Sequence, residues 1–467
     1  MAHLTKSVVE CAALAWLESA GWRPHGFRSA DPYAFNQPNH NLAISRSQKV
    51  AIGRCPRRIY LRFAADRLTE ALHDSPAVLI HGPRQSGKTT LAQRVGARAG
   101  YAYLSFDDEA IRSVARTDPV GFVADLPPRV ILDEVQHVPQ LFVTLKAAID
   151  RDRRPRRFVL TGSTNVLLPK LSDSLAGRMA ILRLHPLAQC EIEGMRPSFL
   201  ERLFGAGFKM RPFERLGAAL AERIVAGGYP AALKLSAGRR RARWYEAYLE
   251  AIVQRDVREL ARIASLDIVP RLLAAAAAQT ARLVNVSDLA APFALSRPTI
   301  RDYLTLLSRV FLLEELPPWH ANRVSRLVKT PKLHLGDTGL ACALLGADAA
   351  ALKADRALLG QLLETFVFQE LKRQASWHER ALAFHHFRDR DGYEVDIVLE
   401  QGAHAVAGIE VKAAATVTAA DFRGLRKLKD AAGRRFACGV VLYDGAMSLR
   451  FGEGFFAVPI RALWEAP

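Results

Sequence analysis

The residues with the clearest chemical role form a glycine-bearing loop, Gly82-Pro-Arg-Gln-Ser-Gly-Lys-Thr89. The loop fits the pattern G-x-x-x-x-G-K-[ST], in which backbone N–H groups and a helix N-terminus point at phosphate oxygens. In that pattern Lys88 reaches the β- and γ-phosphates, and Thr89 supplies a hydroxyl to Mg²⁺. An accidental match is expected only about once in a hundred chains of this length. An apolar strand before the loop and a helix after it make nucleotide binding the favoured interpretation. The predicted nucleotide contacts are Gly82, Pro83, Arg84, Gln85, Ser86, Gly87, Lys88, Thr89 and Thr90.

Two adjacent carboxylates end the apolar segment Arg129-Val-Ile-Leu-Asp-Glu-Val135. Ligands of a parallel α/β sheet bind beyond the carboxyl ends of its strands, which predicts Asp133 near Mg²⁺ and Glu134 near the γ-phosphate. Asp133 would hold the metal through its waters, and Glu134 would orient or deprotonate the attacking water. An ordinary helix cap would explain Asp133 alone. The phosphate loop at a normal distance along the chain favours the catalytic interpretation.

A second set of polar residues lies near the C-terminus. Glu364 belongs to a predicted long helix, Asp396 to a hairpin strand, and Glu410 and Lys412 to the next strand. Strand alternation puts Glu410 and Lys412 on one face, as it does Glu394 and Asp396. Carboxylates on adjacent strands could hold Mg²⁺ for phosphodiester cleavage, with Lys412 beside them. The alternative is a pair of amphipathic strands whose charges face solvent.

The elements around the first site alternate between strands and helices. Strands are predicted at 77–81, 101–105, 129–133, 157–161 and 180–184, which indicates a parallel sheet covered by helices. The predicted units are an N-terminal extension at 1–55, partly disordered, a P-loop core at 56–195, a helical lid at 196–282, a winged helix-turn-helix at 283–335 and a final α/β domain at 336–467.

The helix-turn-helix prediction rests on a short helix at 287–291 and a second helix at 296–307, N-capped by Ser296. The second helix of such a pair can enter a major groove, which would bring Arg297, Thr299 and Arg301 near DNA. The alternative is a small helical connector that uses the same turn for packing.

Composition supports a globular protein with a polyanionic partner. The chain has 467 residues, half of them apolar, and a formal net charge of +18. Such an excess of Lys and Arg favours nucleic acid, although arginine-rich residue usage would also produce it. Five scattered cysteines without a C-x-x-C pattern imply neither a disulfide framework nor a zinc site, and they fit a cytoplasmic location. The apolar runs are too short for a membrane span, and Glu10 and Glu18 interrupt any signal peptide.

These residues together resemble a large prokaryotic family of AAA-type ATPases that carry a C-terminal domain of unknown function. The resemblance spans about residues 57 to 460. The matching segments are Gly82-Pro-Arg-Gln-Ser-Gly-Lys-Thr-Thr-Leu91, Ser105-Phe-Asp-Asp108, Ile131-Leu-Asp-Glu-Val-Gln136, Leu160-Thr-Gly-Ser163, Ser174-Leu-Ala-Gly-Arg178, Gly227-Gly-Tyr-Pro-Ala231, Leu335-Gly-Asp-Thr-Gly339, Glu364-Thr-Phe-Val367, Glu394-Val-Asp396 and Gly408-Ile-Glu-Val-Lys412. The sequence departs from the family at Ser86, where a valine is usual.

The resemblance implies ATP as the nucleotide, Ser163 as a sensor residue and Arg178 as an arginine finger. A finger that acts in trans would require a homo-oligomer. The family's C-terminal domain is similar to the PD-(D/E)XK nuclease fold, which agrees with the acidic residues described above. The sequence thus predicts an ATPase coupled to a DNA-binding, nuclease-like domain. The alternatives are an ATP-gated switch with an inert C-terminal domain and a nuclease that the ATPase licenses.

Overall fold

The computed structural model describes residues 60–163, 177–258, 267–322 and 330–465. The predicted N-terminal extension, residues 1–55, lies outside the described residues. None of the helices in the described ranges is both long and apolar enough to cross a lipid bilayer.

A parallel five-stranded sheet forms the N-terminal unit. In chain order its elements are α1 (Ala64–Asp74), β1 (Ala77–His81), α2 (Lys88–Ala99), β2 (Ala102–Ser105), α3 (Glu109–Thr117), α4 (Pro119–Ala124), β3 (Val130–Asp133), α5 (Leu141–Arg151), β4 (Phe158–Gly162) and β5 (Met179–Arg183). The strand order is β2-β3-β4-β1-β5 and every pairing is parallel. Strands β1, β3 and β4 are buried along their whole length, as expected for strands covered on both faces. The predicted parallel sheet is confirmed.

The topology decides which residues can meet. Because all five strands run the same way, the residues that follow β1, β3 and β4 lie at one edge of the sheet. The residues at this edge are Gly82, Glu134 and Ser163. Residues that precede a strand, such as Arg178 before β5, lie at the opposite edge.

A helical segment follows the first sheet. It contains α6 (Gln189–Glu193), α7 (Phe199–Phe204), β6 (Arg211–Pro212), α8 (Ala218–Ala226), α9 (Pro230–Leu233), α10 (Arg239–Ala251) and α11 (Ile268–Ala278). Helix α10 continues into a π-helical turn at Ile252–Val257. The mainly helical character agrees with the sequence prediction.

Two helices and a small antiparallel sheet come next. They are β7 (Arg282–Leu283), α12 (Val286–Ala290), α13 (Arg297–Arg309), β8 (Leu313–Leu316) and β9 (Lys332–Leu335). The strand order is β7-β9-β8. The Ser296 hydroxyl accepts a hydrogen bond from the Thr299 N–H at 3.3 Å, so Ser296 caps α13 as predicted. The assignment of this segment as a winged helix stays a prediction.

The C-terminal part combines helices with a second β-sheet. Its elements are α14 (Thr338–Leu345), α15 (Ala349–Ala354), α16 (Arg356–Ala375), β10 (Leu382–Arg388), β11 (Glu394–Gln401), β12 (Ala405–Lys412), α17 (Arg423–Ala432), β13 (Phe436–Tyr443), β14 (Met447–Arg450) and β15 (Phe455–Pro459). The seven-stranded sheet has the order β10-β11-β12-β13-β15-β14-β6, so its edge strand comes from the helical segment. The predicted hairpin is present as β10 and β11. The restriction-endonuclease-like assignment stays a prediction.

The helical segment and the C-terminal part share one hydrophobic core. Ile224 and Leu272 from the helices belong to the same buried cluster as Leu362 and Ile409. Helix α14 also packs against α8, α10 and α11, although it follows the boundary predicted at residue 336. The two parts are therefore positioned as one packed body, while the five-stranded sheet has cores of its own.

Candidate nucleotide site

The glycine-bearing loop has the strained backbone conformation that is typical of phosphate-binding loops. A Cβ at Gly82 would lie 2.1 Å from the Leu184 carbonyl oxygen, so no larger residue fits there without a backbone shift. Gly87 has φ 98° and Gln85 has φ 60°, both in the left-handed region. The consecutive N–H groups of such a turn form an anion-binding concavity.

Lys88 lies buried inside this loop. Its ammonium donates to the carbonyl oxygens of Gly82 at 3.1 Å and Pro83 at 3.0 Å. Burial lowers the pKa of Lys88, while the charge of Glu134 works in the opposite direction. A buried cation whose hydrogen bonds to the described residues go to neutral carbonyls is stabilised by an incoming anion, so the residue fits a phosphate ligand.

Three hydroxyls surround the carboxylate of Asp133. Thr89 Oγ1 lies 3.0 Å from Asp133 Oδ1 and 3.1 Å from Oδ2, and the Tyr103 hydroxyl donates to Oδ2 at 2.8 Å. The Thr161 hydroxyl also donates to this carboxylate. Thr89 and Asp133 thus place two hard oxygen ligands side by side, which is the donor set that Mg²⁺ prefers.

Glu134 is held in an unusual backbone conformation. Its φ is 55°, and its N–H donates to Thr161 Oγ1 at 3.1 Å. Non-glycine residues in this region carry strain of about 1–3 kcal/mol and concentrate at functional sites. The Gln136 amide donates to the Glu134 carboxylate and, at 3.0 Å, to Ser163 Oγ. Gln136 therefore connects the predicted base to the predicted sensor.

Sequence reasoning missed three residues of this edge, namely Tyr103, Gln136 and Thr161. Gln136 and Thr161 lie inside segments that carried the family resemblance, so position in those segments was the available signal. Tyr103 had no local signal, because only the pairing of β2 with β3 brings its hydroxyl to Asp133.

Arg178 lies away from this edge. It directly precedes β5, whose register pairs Met179 with Ala77 and Arg183 with His81. A strand of this length spans about 15 Å, so Arg178 and its own phosphate loop are at opposite ends of β5. Its Nε donates to Asp150 Oδ1 at 2.7 Å on α5. Any action of Arg178 on a γ-phosphate must therefore be on a neighbouring copy.

Arg84 joins the phosphate loop to the helical segment. Its guanidinium makes a bidentate pair with Asp256, with Nη2–Oδ1 at 2.9 Å and Nε–Oδ2 at 3.0 Å. Asp256 is buried and belongs to the π-helical turn, and such turns frequently occur at functional sites. The Tyr248 hydroxyl donates to the Arg84 carbonyl at 3.3 Å. The loop is thus anchored to α10 by a contact that sequence analysis did not anticipate.

A cleft of about 880 Å³ lies beside the loop, between α1, α2 and α9. Its lining includes Leu61, Ser86, Leu187 and Pro230. The Ser86 hydroxyl is buried and has no hydrogen-bond partner among the described residues. The cleft has the size and the mixed apolar and polar lining of small-molecule sites.

The four predicted residues of the C-terminal site come from one helix and two adjacent strands. Helix α16 supplies Glu364, strand β11 supplies Asp396, and strand β12 supplies Glu410 and Lys412. The Val411 N–H donates to Asp396 Oδ2 at 2.9 Å, and Lys412 Nζ lies 2.9 Å from Glu410 Oε1. Burial, with a contribution from Asp396, raises the pKa of Glu410 to about 8.

A fifth residue, Lys332 of β9, lies in this acidic site and was missed in the sequence. Its Nζ is 2.7 Å from Glu364 Oε1 and 3.2 Å from Asp396 Oδ1. Within the described part of the chain, no group of three or more His, Cys, Asp or Glu side chains has an arrangement that could hold a metal ion. The assignment of Glu364, Asp396, Glu410 and Lys412 to a metal-dependent, nuclease-like site stays a prediction.

Comparison with known proteins agrees with the geometry of the first site. A family model described as an AAA domain matches residues 74–193. Two models described as domains of unknown function, DUF8612 and DUF4143, match residues 217–351 and 359–463. The chain is 29% identical over 402 residues to an uncharacterized protein of Mycobacterium tuberculosis and to one of Mycobacterium bovis, covering 85% of this chain and 83% of each relative.

Solved structures show more distant likeness. A Walker-type ATPase of Pyrococcus abyssi is 18% identical and matches 61% of this chain and 96% of its own, with a TM-score of 0.37. A RuvB mutant of Thermotoga maritima is 19% identical and matches 55% of this chain and 90% of its own, with a TM-score of 0.29. The family match supports a P-loop domain of the AAA type at residues 74–193. The AAA part of the family resemblance is confirmed, and the nuclease-like part stays a prediction.

Proposed function

We propose that this protein is a Mg²⁺-dependent ATPase whose hydrolysis cycle moves a DNA-binding, nuclease-like C-terminal domain. The observation that carries the proposal is the convergence of Lys88, Thr89, Asp133 and Glu134 at one edge of the parallel sheet. Lys88 would bind the phosphates, and Thr89 and Asp133 would hold Mg²⁺, which would neutralise phosphate charge. Glu134 would orient or deprotonate the attacking water.

The remaining loop and cleft accommodate the rest of ATP. The backbone from Gly82 to Thr90 surrounds the phosphates, and the adjoining cleft takes the nucleoside. The buried Ser86 hydroxyl, which has no partner among the described residues, gains one when the nucleotide binds. Ser163 assists through Gln136, which also contacts Glu134.

Coupling to the C-terminal domain is supported by buried contacts of helix α16. Arg373 Nη1 donates to the Leu187 carbonyl at 2.8 Å, and Nη2 donates to Asp337 Oδ2 at 3.0 Å. Asp337 in turn accepts from the Gly228 N–H at 2.8 Å, and Glu370 accepts from the Gln189 N–H at 2.9 Å. Leu187 also lines the cleft, so a nucleotide would lie against residues that contact α16.

Removal of the metal is the direct test of this function. We expect phosphate release from ATP to depend on Mg²⁺ and to disappear when EDTA is added, because Thr89 is neutral and Asp133 is an anion, so the metal must supply the positive charge that offsets the triphosphate. A phosphate-release assay with restored Mg²⁺ is the control for irreversible damage. Hydrolysis that continues at full rate in EDTA would contradict the proposal.

DNA binding is supported by the charge of the chain and by α13. The formal net charge is +18, and Arg297 and Arg301 are exposed on α13. We expect replacement of both by alanine to weaken affinity for duplex DNA about tenfold, and to reduce the salt slope of binding by about 2. Fluorescence anisotropy at several salt concentrations measures both quantities, and basal ATP hydrolysis should not change.

A matched control removes two exposed arginines of the AAA domain, Arg151 and Arg154. This control variant loses the same formal charge, so it separates α13 contacts from general attraction. Equal loss of affinity in the two double variants would argue against α13 as the DNA-contacting helix.

An ATP-gated switch with an inert C-terminal domain is the second candidate. The position of Lys332 favours it, because an ammonium group already lies between Glu364 and Asp396. In that function the domain binds a protein or nucleic-acid partner and cleaves nothing.

A further inference from the structure

The acidic site of the C-terminal sheet contains a cation supplied from another part of the fold. Lys332 is 5% exposed and lies at the start of β9, in the three-stranded sheet. Its Nζ contacts one carboxylate from α16 and one from β11, Glu364 and Asp396, at 2.7 and 3.2 Å. Two acidic side chains thus hold this group at ion-pair distance.

This arrangement does not fit a divalent metal bound between the same carboxylates. Mg²⁺ requires oxygen ligands at about 2.0–2.1 Å in near-octahedral geometry. An ammonium at hydrogen-bond distance from both carboxylates occupies that space and repels a second cation. The remaining acid, Glu410, is already paired with Lys412 at 2.9 Å.

We propose that Lys332 is an internal plug that closes the acidic site to divalent metal ions in this conformation. The inference rests on the proposed function, since it describes how the nuclease-like site of that function is regulated. The site becomes competent for metal only when β9 withdraws Lys332 from Glu364 and Asp396.

The strand that carries the plug is tied to the AAA domain. Strand β8 pairs with β9, with Leu316 opposite Lys332 and Glu314 opposite His334. Glu314 forms an ion pair with Arg183, the last residue of β5. It also contacts Lys372 Nζ of α16 at 2.6 Å.

The end of β5 also adjoins the phosphate loop. The Leu184 N–H donates to the His81 carbonyl at 2.7 Å, and Gly82 packs against the Leu184 carbonyl. The His81 ring lies 5.8 Å from the ring of Phe311, two residues before β8. Contacts therefore connect the phosphate loop, through the end of β5, to Glu314 of β8 and, through strand pairing, to Lys332. In the proposed regulation, ATP binding acts on Lys332 along these contacts.

The affinity of the full chain for metal tests whether Lys332 blocks the acidic site. We expect Lys332→Ala, titrated with Mn²⁺ in a calorimeter without nucleotide, to bind at least about tenfold more tightly than wild type. Lys332→Met, which keeps most of the side-chain volume, should behave in the same way and guards against a folding defect in the alanine variant. The double variant Lys332→Ala/Asp396→Ala should lose the gain, which assigns it to this site rather than to the AAA domain.

Equal Mn²⁺ isotherms for wild type, Lys332→Ala and Lys332→Met, with circular dichroism spectra matching that of wild type, would overturn the proposal. ATP hydrolysis is measured on the same preparations. Absence of ATP hydrolysis in the wild-type protein would contradict the proposed ATPase activity. The Mn²⁺ isotherms would still report on the role of Lys332. The two failures are therefore distinguishable.

Lysine acetylation read by mass spectrometry tests the link to nucleotide. In the nucleotide-free protein Lys332 should be strongly protected compared with Lys353, which is exposed. In Glu134→Gln with ATP, protection of Lys332 should fall severalfold while that of Lys353 stays constant. Unchanged protection of Lys332 would overturn the link between the AAA domain and the plug.

Discussion

Replacement of Glu134 by glutamine is expected to lower the rate of ATP hydrolysis by at least about a hundredfold, with little change in ATP affinity. The amide keeps the shape of the side chain but removes the base that acts on water in the transition state. Gln136 donates to the Glu134 carboxylate, and the amide oxygen of a glutamine at this position can still accept that hydrogen bond. Phosphate release measures the rate, and titration with a fluorescent ATP analogue measures the affinity.

Lys88→Ala should lose ATP binding, whereas Glu134→Gln should lose the hydrolysis step. Lys88 contacts phosphates in the ground state, so its removal is expected to abolish ATP binding itself. The Lys88 ammonium donates only to the Gly82 and Pro83 carbonyls among its described hydrogen bonds, so the variant should still fold.

Glu222→Gln, an exposed substitution on α8, is the matched control for Glu134→Gln. Equal hydrolysis by wild type and Glu134→Gln would remove Glu134 from its role.

Arg178→Ala is expected to lower the turnover number by about a thousandfold, which is the typical contribution of an arginine finger, and to leave ATP affinity nearly unchanged. Because β5 separates Arg178 from its own phosphate loop, the effect requires a neighbouring copy. Specific activity of the wild-type protein should therefore rise with protein concentration. If Arg178 only makes a surface ion pair with Asp150, its removal will change little.

Mixing two inactive variants tests the trans arrangement. Arg178→Ala supplies an intact Glu134, and Glu134→Gln supplies an intact Arg178, so mixed assemblies contain complete sites. We expect the mixture to recover a measurable fraction of wild-type hydrolysis that neither variant shows alone. Arg153→Ala is the matched control, since Arg153 pairs with the same Asp150 at 3.2 Å. If the mixture assembles but recovers no ATP hydrolysis, the assignment of Arg178 as an arginine finger is contradicted.

The fold was predictable wherever local pattern decides structure. The five parallel strands and the hairpin of β10 and β11 follow from short apolar or alternating runs bounded by turn residues. The capping of α13 by Ser296 follows from the preference of serine for N-cap positions. The edge strand β6, only two residues long, carried no such signal and exists because β14 offers it a partner.

The phosphate loop, the acidic strand end at Asp133 and the acidic residues of the last domain could be predicted from the sequence, because spacing along one element places such residues. Contacts between distant elements could be found only in the folded protein. Arg84 and Asp256 are 172 positions apart, and Lys332 and Asp396 are 64 apart. The edge of the sheet on which Arg178 lies likewise follows from strand direction. These contacts depend on packing between elements, and the periodicity of a single helix or strand carries no information about its partner.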